Sequence, residues 1–66
     1  MEWLKAIRIK KRLSQKAVAD QTNISQPSYA NIENGLRKPS VNTAKEIAEV
    51  LCFDWTRFYE KNSKTE

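Results

Sequence analysis

With 66 residues the chain has material for one domain and one small core, and a domain of this size hides only about 60% of the surface its unfolded chain exposes. That leaves little room for an enzyme pocket, and no nucleophile–base pair can be assembled from the residues present. Twelve Lys and Arg stand against eight Asp and Glu, giving a net charge of +4 with no His, so polyanions are favoured as partners and a zinc site is not expected.

The charge is unevenly placed. Residues 1–16 carry Lys5, Arg8, Lys10, Lys11, Arg12 and Lys16 against the single acid Glu2. Such a positive end suits nucleic acid or an anionic membrane surface. No apolar run approaches the roughly 20 residues that span a bilayer, and Lys5, Arg8 and Lys10 interrupt any apolar leader. Cys52 is the sole cysteine, which rules out an internal disulfide and fits a reducing cytosol. The expectation is a cytoplasmic protein with no cofactor, metal or membrane partner, and with no small-molecule effector evident.

The first helix is predicted from about Glu2 to Arg12, with Leu4 and Ile7 facing inward. Ser14 reads as an N-cap ahead of Gln15, and this second helix should end near Gln21-Thr22-Asn23, where Asn23 tolerates positive φ. Ser25 caps a third helix running from Gln26 to Asn34. Pro27 falls in its first turn, where a missing N–H leaves no gap, and Gly35 supplies the stop. After the loop Leu36-Arg37-Lys38-Pro39, Ser40 caps a fourth helix, Val41 to Leu51. Its Ala44, Ile47, Ala48 and Leu51 form an inward stripe. Asp54 can cap a last short helix holding Trp55, Phe58 and Tyr59.

No stretch alternates as a strand would. The predicted fold is all-α, a compact bundle of five short helices, forming one domain over 1–60 with a polar tail, 61–66, that should fray. Leu4, Ile7, Leu13, Val18, Ala19, Ile24, Ile32, Ile47, Ala48 and Leu51 are the expected core, closed by Trp55 and Phe58. Cys52 reads as a small buried hydrophobe.

Two short helices flanking the brief turn Thr22–Ser25 make a helix-turn-helix, whose second helix enters the major groove of DNA. With Gln26 at zero and about 100° per residue, Tyr29 and Ile32 fall on the buried side. Gln26, Pro27, Ala30, Asn31 and Asn34 fall on the opposite face, which bears no charge. Amides of this length can bond adenine N6 and N7, and Ala can meet a thymine methyl. A polar surface that merely keeps the domain soluble is the plainer reading of the same face. Glu33, at its margin, would repel phosphate unless paired, and Arg8 is the best partner.

Leu13-Ser14-Gln15, Val18-Ala19, Ile24-Ser25-Gln26, Ile32-Glu33-Asn34-Gly35 and Pro39-Ser40 together resemble the Cro/repressor-type (Xre-like, lambda-repressor-like) helix-turn-helix domains of phages and bacteria. The resemblance covers roughly residues 4–59. It implies base reading by Gln26 and Pro27, with Asn31 further along, and the outward face of the helix adds Ala30. Phosphate contacts are implied for Ser14, Gln15, Asn34, Arg37, Lys38, Ser40 and Asn42, and the basic Lys16 beside Gln15 is a further phosphate candidate. It also matches the Arg8–Glu33 pair to one seen in some phage repressors. Family members commonly dimerise through C-terminal helices, so Phe53, Trp55, Phe58 and Tyr59 are candidate dimer contacts as well as candidate core.

Two positions depart from the family pattern. Pro27 offers only apolar contact where a hydrogen-bonding or small residue is usual, and Cys52 stands where Gly or Asn often ends the fourth helix. The implied function is transcriptional regulation, by default repression, through a homodimer on a near-palindromic site in double-stranded DNA. The alternative is a protein-interaction module, or an antitoxin or controller component, on the same fold.

Overall fold

A computed structural model describes residues 1–59, and these form four α-helices followed by a 3-10 helix. The elements are α1 (Glu2–Lys10), α2 (Gln15–Gln21), α3 (Gln26–Glu33), α4 (Val41–Leu51) and the 3-10 helix Trp55–Tyr59. Among the described residues there is no strand, and the fold is all-α. The expected frayed tail, 61–66, lies outside the described residues.

Serine opens three of the helices. Ser14 Oγ accepts the Ala17 N–H at 3.0 Å, Ser25 Oγ that of Ser28 at 3.2 Å, and Ser40 Oγ that of Thr43 at 3.3 Å. Each cap satisfies a backbone donor that has no intrahelical partner, and such a cap contributes about 1 kcal/mol. The fifth predicted helix is a tighter 3-10 turn. Asp54 opens it, its Oδ1 accepting from the Thr56 N–H at 3.0 Å, and the Arg57 N–H bonds the Asp54 carbonyl three residues back. Five residues with this i→i+3 spacing complete no α-turn.

All four α-helices end alike. The N–H of Leu13, Ile24, Leu36 and Phe53 reaches back to the carbonyl of Arg8, Ala19, Asn31 and Ala48. Each of these six-to-one bonds closes over a left-handed residue: Arg12 (φ 61), Asn23 (φ 58), Gly35 (φ 79) and Cys52 (φ 63). Asn23 and Gly35 are where the residue types predict such a turn. Arg12 is not, and it shortens α1: the helix ends at Lys10 because Arg12 has already left the helical region.

Cys52 corrects the expectation of a buried hydrophobe, for its side chain is exposed. Leu51 is the last residue of the inward stripe, and the left-handed turn carries the next side chain out to solvent. A side chain in this conformation crowds its own carbonyl by about 1–2 kcal/mol. Allowing for the extra freedom of glycine in the unfolded chain, Cys52→Gly should stabilise the domain by about 1 kcal/mol. A thermal melt of Cys52→Gly beside Cys52→Ala checks this, since the alanine variant keeps the strain and should gain nothing.

Leu4, Val18, Tyr29, Ala44, Ile47 and Leu51 are wholly enclosed, and Ala19, Ile32, Ala48 and Phe58 nearly so. Ile7, Leu13, Ile24 and Trp55, all expected inside, are only half-buried and pack against this core. Thr22 was not foreseen as a core residue, yet it is fully buried. Its Oγ1 donates to the Val18 carbonyl at 2.8 Å, so the hydroxyl enters the core already satisfied. Trp3, Phe53 and Phe58 form a three-ring cluster with centroids 5.3–5.5 Å apart.

Candidate nucleic-acid interface

The α2–turn–α3 unit presents one face of α3 outward. Tyr29 and Ile32 point into the core, while Gln26, Pro27, Asn31 and Asn34 are exposed and Ala30 is half-buried. The exposed side of this helix therefore carries amides, a proline and a small methyl, and no charge. Asn34 follows the last helical residue and caps the helix C-terminus, its N–H bonded to the Ala30 carbonyl at 2.9 Å.

Glu33 does not reach this surface. Its carboxylate is buried and receives four hydrogen bonds: Arg8 Nε at 2.8 Å, Arg8 Nη2 at 3.2 Å, Gln15 Nε2 at 3.1 Å and the Tyr29 hydroxyl at 2.9 Å. Three elements thus converge on one carboxylate. Arg8 also donates from Nη1 to the Leu13 carbonyl at 2.8 Å, which ties the α1–α2 turn to the same cluster. The Met1 nitrogen donates to the Glu33 backbone carbonyl at 2.6 Å, fixing the start of α1 to the end of α3.

Burial by itself would raise the Glu33 pKa. The hydrogen bonds from Arg8, Gln15 and Tyr29 outweigh it and hold the carboxyl below its ordinary value. Burial and the neighbouring carboxylate push the Tyr29 hydroxyl well up, so it remains a donor. The hydrogen bond to Glu33 raises the Arg8 guanidinium pKa. Among the described residues, no buried side-chain nitrogen or oxygen lacks a partner.

The phosphate candidates fall in two groups. Ser14, Gln15 and Lys16 open α2. The Ser14 oxygen already accepts from Ala17, one amide hydrogen of Gln15 goes to Glu33, and Lys16 meets Asp20 at 3.1 Å in an exposed pair. Such exposed pairs are weak and exchange readily for another anion.

On the other flank, Arg37, Lys38 and Ser40 line a groove with Ser28 and Ile32 of α3. Arg37, Lys38 and Ser40 are exposed, as is Asn42 in the first turn of α4. Lys38 also lies 5.8 Å from the ring centre of Tyr59. Both groups adjoin α3, one through Glu33 and the other through the groove.

The four candidate dimer residues separate. Phe58 is only 6% exposed and belongs to the core, because the 3-10 turn directs it against Trp3 and Phe53. Phe53, Trp55 and Tyr59 are half-buried. Lys45 lies 5.1 Å from the centre of the Trp55 ring, and the Tyr59 hydroxyl donates to the Pro39 carbonyl at 2.7 Å. Arg57, unremarked in the sequence, sits 4.6 Å over Trp3.

Comparison with known proteins agrees with this geometry: a family model described as helix-turn-helix matches residues 4–51. The chain belongs to the helix-turn-helix family. Its motifs are of the Cro/repressor type, and it is similar to an uncharacterised HTH-type transcriptional regulator, YqaF of Bacillus subtilis (strain 168). Identity is 49% over 59 residues, covering 89% of this chain and 78% of that protein.

A second helix-turn-helix relative, the uncharacterised HTH-type transcriptional regulator YqaE of the same strain, is 35% identical over 65 residues. The match takes in 96% of this chain but only 56% of YqaE's length. No solved structure matches the chain significantly. Among the described residues, no helix is long and apolar enough to cross a membrane, and no three His, Cys, Asp or Glu gather as metal ligands would.

Proposed function

We propose that this helix-turn-helix protein is a sequence-specific DNA-binding transcriptional regulator. By this reading it acts in the cytoplasm as a repressor, a homodimer on a near-palindromic operator with α3 in the major groove. The observation that carries it is the uncharged, amide-bearing outer face of α3, on a helix whose one acid is drawn inward and neutralised by Arg8. A helix with only a solubilising surface would carry Lys and Glu there, and a carboxylate on that face would repel the duplex.

Gln26 and Asn31 are the hydrogen-bonding base readers, with Pro27 and Ala30 supplying apolar contact. Gln15 and Asn34, with Ser14, Lys16, Arg37, Lys38, Ser40 and Asn42 around them, set the register on the phosphates. The names of the relatives, both HTH-type transcriptional regulators, support the same reading.

Selection from a random duplex library tests it directly. The enriched sites should be near-palindromes with half-sites about 34 Å apart, one helical turn, as a two-fold protein requires. If no duplex is enriched over bulk competitor, DNA recognition is not the function of this surface.

A further inference from the structure

We propose that Arg12, at the strained end of α1, is a DNA-backbone contact at the outer edge of this interface; the inference rests on the DNA-binding reading above. Arg12 holds φ 61, a strain it shares with Cys52, while the other two helix ends use the tolerant residues Asn23 and Gly35. Its side chain is exposed and makes no hydrogen bond, ion pair or ring contact among the described residues. Only its backbone is engaged, the N–H bonding the Ile9 carbonyl at 2.9 Å. Neither packing nor pairing accounts for an arginine here, and Gly or Asn would make the same turn with less strain.

What the arginine adds is a permanent charge carried on a planar fork of donors that matches a phosphate. Its position gives that charge a target. Arg8 anchors the turn to Glu33 of α3 with Nε and to the Leu13 carbonyl with Nη1. Gln15, the proposed backbone contact, is held to the same carboxylate. At 3.8 Å per residue, the Arg12 Cα is at most about 11 Å from that of Gln15, so the guanidinium can reach a phosphate neighbouring the one Gln15 takes. The surroundings are positive as well. No acid lies between Glu2 and Asp20, and Lys10 and Lys11 beside Arg12 are exposed.

Binding of a fluorescent duplex carrying the selected site, measured across salt concentration and beside a random duplex, tests this with Arg12→Gly, Arg12→Lys and Gln26→Ala. Losing one phosphate contact makes the slope of log K against log salt shallower by about 0.9, an affinity loss of about eightfold at 0.1 M salt. Arg12→Gly should show that loss equally on both duplexes while its Tm holds or rises. Arg12→Lys should recover the slope.

If Arg12→Gly binds like the parent while Gln26→Ala still loses the selected site, Arg12 has no part in binding and the DNA-binding reading stands. The proposal is equally overturned if Arg12→Lys loses as much as Arg12→Gly, or if the Arg12→Gly loss comes with a fall in Tm. A parent protein that binds neither duplex overturns both readings together.

Discussion

Arg8→Ala should destabilise the domain by about 3–5 kcal/mol, the cost of breaking a buried ion pair by removing one partner. The Glu33 carboxylate would lose two of its four hydrogen bonds and its only charged partner, and water cannot readily replace them where the side chain is 2% exposed. A domain of this length has a total stability of roughly 3–10 kcal/mol, so the loss is a large part of the total and should lower the unfolding midpoint markedly. Lys10→Ala, which removes an exposed charge on the same helix, should change stability by less than about 0.5 kcal/mol. Urea melts of the two variants decide the matter, and equal midpoints would reject the structural role of the pair.

The same cluster fixes a pH dependence. The folded state holds the Glu33 pKa below its ordinary value of 4.5, so its stabilising contribution is complete above that pH. It is lost as pH falls below 4.5 and through the folded-state value. Asp54, bonded by Thr56, is shifted in the same direction. The parent should therefore weaken on acidification from pH 5 downward. Glu33→Gln, less stable at neutral pH, should show a flatter acid limb.

Gln26→Ala is expected to cost about 1–3 kcal/mol on the selected operator, to relax preference at the base it reads, and to leave random-duplex binding nearly unchanged. The reason is geometric. Gln26 opens the exposed face of α3 and its amide has no intramolecular hydrogen bond among the described residues, so both its donor and its acceptor are available to a base edge. Arg37→Ala should instead weaken all sequences alike and lower the salt slope by about one, because a guanidinium on phosphate carries no sequence information. Titrations of each variant on operator and random duplex separate the two roles. Identical behaviour of the two variants would mean that α3 is not the reading element.

The features legible in the sequence are those governed by near neighbours along the chain. A serine three residues before an orphan N–H, an apolar residue at every third or fourth position, and Gly35 after a helix all act within one turn. These local rules located three helix starts, the stops at Asn23 and Gly35, and the inward stripe of α4. The outward face of α3 was legible for the same reason: which side of a helix is apolar depends on periodicity alone. The Arg8–Glu33 assignment came from charge logic, since an acid at the edge of an otherwise neutral face calls for a base.

Tertiary structure decided what depends on residues distant in sequence. Gln15 and Tyr29 join Glu33 only because α2 and α3 pack together, and the four-residue spacing of Tyr29 and Glu33 was the one local hint. Thr22 is buried and Cys52 exposed, against the tendencies of their types, because a hydroxyl bonded to its own helix sheds its desolvation cost and a left-handed turn redirects a side chain. Phe58, expected either to close the core or to serve a dimer contact, is held inside because Trp3 and Phe53, some fifty residues apart in the chain, come together around it. Periodicity reports which face of each helix is apolar; only the packed structure determines what that face meets.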